Sequence, residues 1–309
     1  MRPAYDPELS TLLAAMPPMP PLDAQTLAQI RPYAAGPRPD DGSVERREVT
    51  FPAPDGTPIP LTILSPGGVT AAPCVYWIHG GGMVMGDRYS QIDIPREWLD
   101  RFGAVVVSVD YRLAPEADGT TLVDDCYHGL AWVAAHAADL GIDPARIIVA
   151  GASAGGGLAA GVTLMARDRA TPAIAGQILI GPMLDHRNDS ASSRQFSGGP
   201  GVWTREMNDF GWRSVLGGLG PVSPYVSPAL ATDLAGLPAT YLDAGSAEVF
   251  RDESVEYAAR IWAAGGRADL HIWAGGCHGF DALFPQAPIS SAARRARTDW
   301  LARLLEEVR

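Results

Sequence analysis

The chain has 309 residues, 47% of them hydrophobic, with a formal net charge of −11 at neutral pH. That length and apolar content suit an α/β fold built as one unit with an insertion. The acidic balance argues against a nucleic-acid partner and against an anionic membrane surface, and it favours a small neutral substrate.

Three cysteines, Cys74, Cys126 and Cys277, lie far apart with no CxxC pair. Neither a disulfide framework nor a metal site is expected, and a reducing cytoplasm fits. The N-terminal stretch carries Asp6 and Glu8 and reads as no signal peptide, and no run reaches membrane-spanning length.

Residues 1–44 are proline-rich, with an amphipathic stretch from Pro7 to Met16. They read as an N-terminal cap segment. Arg46–Phe51 and Ile59–Leu64 flank Pro54-Asp55-Gly56 and predict a hairpin. Strands and helices then alternate. Strands are expected at Cys74–His79, Ala104–Asp110, Arg146–Ala150, Ala175–Gly181, Ala239–Asp243 and Ala268–Trp273. Helices are expected at Gln91–Phe102, Leu122–Ala138, Ala154–Asp168, Arg251–Ala264 and Ser290–Val308. Continuous apolar strands alternating with helices predict a mostly parallel sheet covered on both faces. Residues 186–236 break the rhythm with Ser, Gly and Pro clusters around a helix at Thr204–Val215. This is a candidate cap insertion, dividing the α/β core into residues 45–185 and 237–309.

Chemistry concentrates at strand ends. Gly151-Ala152-Ser153-Ala154-Gly155 follows a buried strand and has the small-x-Ser-x-small form of a nucleophile elbow, where bulky neighbours would clash. Ser153 is the candidate nucleophile. The alternative is a small residue that lets a helix pack closely on a strand. His79-Gly80-Gly81-Gly82 also ends a strand, and its glycines let backbone N–H groups turn inward as an oxyanion hole. Gly81, Gly82 and Ala154 are the candidate donors. A dinucleotide-binding reading fails on spacing, because Gly80, Gly82 and Gly86 give GxGxxxG.

His278, after the last strand, is the candidate base. The order Ser, acid, His suits an α/β hydrolase. Asp243, Glu248, Asp252 and Glu253 are candidate acids. Asp252 and Glu253 start a helix, where carboxylates serve as caps, and Asp243 ends a strand, so the loop residue Glu248 is preferred. Met83, His186, Trp203, Met207 and Phe210 are candidates for the substrate pocket. The aromatic and methionine side chains of the 204–215 helix, Trp212 included, suit a cap core equally well. Tyr111–Glu116 reads as a turn in which Arg112 pairs with Glu116. The terminal helix, with Arg294, Arg295 and Arg297, reads as a packing helix with a solvated face.

Five segments occur together in order: His79–Gly82, Asp110–Glu116, Gly151–Gly156, Glu248–Glu253 and His278–Phe280. Across residues 74–282 the chain resembles the hormone-sensitive-lipase-like branch of α/β-hydrolase esterases. The resemblance implies a sheet of about eight strands and a helical cap. It implies a triad of Ser153, His278 and Glu248, with Gly81, Gly82 and Ala154 as oxyanion donors. The implied activity is hydrolysis of short-chain carboxylic esters through an acyl-enzyme, with no cofactor, and a homodimer can form through the terminal helix. Family members usually carry Asp where this chain has Glu248, which leaves Asp252 as the alternative acid. Many also carry Asp where this chain has Ala152. Lactones, carbonates and N-acetyl groups are alternative substrates. A catalytically silent small-molecule receptor on the same fold is the alternative function.

Overall fold

A computed structural model describes every residue except Pro18, Asp40, Asp41, Ser43, Pro200, Leu219 and Arg309. The apolar runs pair into one sheet of eight strands: β1 Glu45–Pro52, β2 Pro58–Ser65, β3 Ala72–Ile78, β4 Val105–Val109, β5 Ile142–Ala152, β6 Gly176–Ile180, β7 Ala239–Gly245 and β8 Ala268–Trp273. The strand order is β1-β2-β4-β3-β5-β6-β7-β8. β1 and β2 form the expected hairpin, and β2 also runs antiparallel to β4; every later pairing is parallel. β3, β4 and β6 are buried along their whole length, as a sheet covered on both faces requires.

The helices are α1 Pro7–Ala14, α2 Ala24–Ile30, α3 Asp93–Phe102, α4 Thr121–Ala135, α5 Ala154–Arg169, α6 Ala191–Gln195, α7 Arg205–Leu216, α8 Arg251–Ala263, α9 Phe280–Leu283 and α10 Pro288–Glu307. The longer ones match the predicted helices within a few residues. α2, α6 and α9 are seven, five and four residues long, too short for an apolar period to register in the sequence.

Parallel strands gather their C-terminal ends on one edge, where open α/β sheets build their sites. The loops after β3, β5, β6, β7 and β8 all leave from there. Register adds a second constraint. Ala152 of β5 pairs with Ile180 of β6, Ile180 with Asp243 of β7, and Asp243 with His271 of β8. Strand side chains alternate between faces, so Ala152, Ile180 and Asp243 lie side by side on one face at the last rung that β5, β6 and β7 share. α3 and α10 pack against that face through Ile94, Trp98, Trp300 and Leu301.

Two local expectations are corrected. Arg112 does not pair with Glu116: its guanidinium donates to Asp125 at 2.7 and 2.8 Å and to Asp55 at 2.5 Å. Glu116 pairs instead with Arg31, 2.6 Å away. Partners delivered by α4 and by the N-terminal arm displace the sequence-local one. α10 packs on one side and is solvated on the other, as expected, but of Arg294, Arg295 and Arg297 only Arg295 is exposed. Arg294 binds Asp93 and Glu97 of α3, and Arg297 is 1% exposed between Asp243 and Asp281.

Candidate active site

At the end of β5 the chain reverses into α5 within one residue. Ser153 sits at φ 58°, ψ −122°, a conformation L-residues rarely adopt and one that turns its side chain out of the strand–helix junction. Small neighbours make this turn possible. A Cβ on Gly151 would lie 2.2 Å from the Gly155 carbonyl oxygen, and one on Gly155 would lie 2.0 Å from that of Ile78. The serine backbone is pinned to β6 and its loop: Ser153 N–H donates to Ile180 O at 2.7 Å, and Met183 N–H donates to Ser153 O at 3.0 Å.

The loop after β8 brings His278 to this apex. Its Nε2 lies 2.9 Å from Ser153 Oγ. Its Nδ1 lies 2.5 Å from Glu248 Oε2. A carboxylate at Nδ1 keeps the proton there and leaves Nε2 as an acceptor for the serine hydroxyl. Glu248, from the loop after β7, is 2% exposed, and its Oε1 accepts the Gly245 N–H at 2.7 Å. Phe250 packs edge-on against the imidazole with ring centroids 5.0 Å apart.

The other candidate acids are engaged elsewhere. Asp252 accepts the Ser192 N–H at 2.7 Å and pairs with Arg251, so it anchors α6 and does not meet His278. Asp243 binds Arg297. Glu253 is buried and accepts the Leu184 N–H at 2.6 Å; burial pushes its carboxyl well above the usual range.

Opposite the histidine, the loop after β3 folds over Ser153. Gly81 and Gly82 have φ of 117° and 62°. A Cβ on Gly82 would stand 2.3 Å from the Trp203 ring, so glycine is required for that indole to close on the loop. The loop is anchored by Gly80 N–H to Gln91 Oε1 at 2.9 Å and by Val84 and Met85 N–H to Gly81 O. The N–H groups of Gly81, Gly82 and Ala154 have no acceptor among the described residues, and Ala154 opens α5, whose N-terminus favours negative charge. His79 is fully buried, stacked on Tyr111 with centroids 4.3 Å apart, and burial lowers its pKa.

Ser153, His278 and Glu248 line a cavity of about 220 Å³ together with Gly81, Gly82, Trp203 and Phe280. Of the five residues expected in the pocket, Trp203 lines it. Met83, 1% exposed, and Met207, 4% exposed, are in the core instead, and Phe210 packs against that core. His186 turns away, with Nδ1 3.1 Å from Ser227 Oγ and its ring edge-on to Trp212. Met19, Met85, Val202 and Leu283 take their place. Met19 comes from the N-terminal arm, and nothing in its local sequence marks it. A larger open groove of about 970 Å³ lies at the opposite end of the sheet, by Glu45, Val69 and Pro144, with no histidine or cysteine among its lining residues.

An eight-stranded, mostly parallel sheet with a serine elbow on its carboxyl edge defines an α/β hydrolase. The alpha/beta hydrolase fold family model matches residues 75–282, and the chain belongs to that family, as the sequence resemblance implies. Carboxylic ester hydrolase LipN of Mycobacterium tuberculosis is 34% identical over 78% of this chain, and the match spans 65% of LipN's own length. A solved structure titled Bacterial Heroin Esterase is 36% identical, with a TM-score of 0.87 over 98% of both chains. Esterase LipW from Mycobacterium marinum is 32% identical, with a TM-score of 0.88 over 98% of both chains.

Proposed function

We propose that this protein is a serine carboxylesterase that hydrolyses short-chain acyl esters. The observation that carries the reading is the unbroken relay from Glu248 through His278 to Ser153, set beside the glycine loop. His278 Nε2 takes the Ser153 proton as Oγ attacks the ester carbonyl carbon. Glu248 holds the Nδ1–H tautomer and stabilises the imidazolium. The backbone N–H groups of Gly81, Gly82 and Ala154 receive the developing oxyanion. His278 then passes its proton to the departing alkoxide, leaving an acyl-Ser153. Water, deprotonated by the same histidine, attacks that acyl carbon, and a second collapse frees the acid and the serine.

Residues 1–44 and 186–236 form the cap in this reading. Met19 from the first and Trp203 from the second border the cavity. Asp6 N–H also donates to Gly275 O on the loop that carries His278. No helix among the described residues is long and apolar enough to cross a membrane. The three cysteines are free and buried, which accords with a cytoplasmic site. A receptor without turnover has no use for a base 2.9 Å from the serine hydroxyl, so hydrolysis is preferred.

The test is a series of activated esters from acetate to palmitate. Wild type should turn over the short members fastest, and Ser153→Ala should lose turnover by at least about 10³-fold. Hydrolysis that survives Ser153→Ala would refute the mechanism.

A further inference from the structure

The active-site cavity continues past the serine, on the α3 and α10 side of the sheet. There Ala152, Ile180 and Ile94 of the α3–α10 core line it, and Ala282 and the exposed Leu283 line it as well. At the bottom are three charged side chains that the reaction does not use: Asp243, Asp281 and Arg297. All three are almost completely buried.

Their hydrogen bonds are unequally distributed. Asp243 Oδ2 accepts from Arg297 Nε at 2.8 Å, Trp273 Nε1 at 3.2 Å and the Tyr241 hydroxyl at 3.3 Å, and its Oδ1 accepts from Arg297 Nη2 at 3.2 Å. Asp243 is saturated. Asp281 Oδ2 accepts from Arg297 Nη1 at 2.5 Å. Beyond that bond and its own backbone N–H, the Asp281 carboxylate accepts from no described residue. A carboxylate oxygen in such a place strongly favours a donor, and a cationic donor most of all.

Charge points the same way. Asp243, Glu248 and Asp281 line the cavity against the single guanidinium of Arg297. Burial pushes the Asp281 carboxyl up, but Arg297 and then Arg294 pull it down by more, so it stays ionised. Ala152, Ile94 and Ile180 give the cavity an aliphatic lining beside these charges, and a total volume of about 220 Å³ admits only a short arm. An amine reached through a few methylenes would place its carbons on Ile94 and Ile180 and its N–H on Asp281.

We propose that the chamber beneath Ala152 takes an ester arm bearing a protonated amine, with Asp281 as its acceptor and specificity determinant. The proposal rests on the esterase reading above and names the substrate class for that same site.

Two isosteric pairs test it. In the first the amine is on the alcohol side: 2-(dimethylamino)ethyl acetate against 3-methylbutyl acetate. In the second it is on the acyl side: ethyl 3-(dimethylamino)propanoate against ethyl 4-methylpentanoate. Each kcat/KM is divided by the ester's rate with hydroxide, which removes intrinsic reactivity. One pair should favour the amine by about tenfold, the factor expected of one charge-assisted hydrogen bond, and that pair shows which side of the ester enters. Asp281→Asn should bring the ratio to about one. If that variant fails to fold, the wild-type ratio measured at rising pH serves instead: it should fall as the substrate amine loses its proton. Ratios near one in both pairs, with the neutral esters turned over, overturn the amine proposal and leave the esterase standing. No turnover of any ester overturns both.

Discussion

Replacing Glu248 by glutamine probes the relay through one atom. Glu248 Oε1 is fixed by the Gly245 N–H at 2.7 Å, and Oε2 faces His278 Nδ1 at 2.5 Å. Gly245 can only donate, so the carbonyl oxygen of the glutamine takes the Oε1 position and its NH₂ faces the ring. Nδ1 must then accept, the ring proton moves to Nε2, and Nε2 points a hydrogen at Ser153. The base is lost although every heavy atom stays in place. The same tautomer inversion in serine hydrolases of this logic costs ~10⁴ in kcat, equivalent to about 5 kcal/mol of transition-state stabilisation. Asp252→Asn is the matched control. It removes a charge from the contact with Ser192 and Arg251, a cap-like interaction worth about 1 kcal/mol of stability, and kcat should stay within about twofold of wild type. The assay is steady-state hydrolysis of an activated acetate by both variants, with thermal melts to confirm folding. Near-wild-type turnover by folded Glu248→Gln, or collapse of folded Asp252→Asn, would refute the reasoning.

Two further expectations concern buried charge. Glu253 has its pKa raised by burial, so the folded state binds its proton more tightly than the unfolded chain. Its contribution is therefore full below the unfolded value of about 4.3 and is lost as pH rises toward the folded pKa. Glu253→Gln keeps an oxygen for Leu184 N–H, so melting temperatures should show the variant gaining on wild type as pH rises; parallel curves would contradict this. Arg297→Met leaves Asp243 and Asp281 buried without their cation and should lower stability by about 3–5 kcal/mol in denaturant titrations. Arg297→Met combined with Asp243→Asn and Asp281→Asn should recover most of that loss, and a single variant within about 1 kcal/mol of wild type would show the cluster to be dispensable.

How much of this was legible in the sequence depends on how local the cause is. The serine elbow and the glycine loop announce themselves because each backbone needs several small residues in a row, and that need is written in consecutive positions. His278 and Glu248 were legible by order along the chain and by their loop positions. Asp243, Asp281 and Arg297 were not. Each is an ordinary residue locally, and only the packing of α10 on β7 and the His278 loop brings them together. The same reason explains the mispairing of Arg112: its partner Asp125 lies one helical turn inside α4 and Asp55 in the hairpin turn. Pocket walls were the least legible part. Met19 reaches the cavity from the N-terminal arm, whereas Met207, from the helix whose spacing suited pocket and cap core equally, is spent on the core.

The buried guanidinium on α10 also bears on the order in which the site is completed during synthesis. Arg297 binds Asp243, five positions before Glu248, and Asp281, three positions after His278. A growing chain therefore carries nucleophile, base and acid before it carries the residue that ties the strand leading to the acid to the loop behind the base. Domains generally fold as units during synthesis. The pocket floor of this one closes only when α10 has been made, so a chain cut just after α9 would hold every reacting group and lack the tie between them.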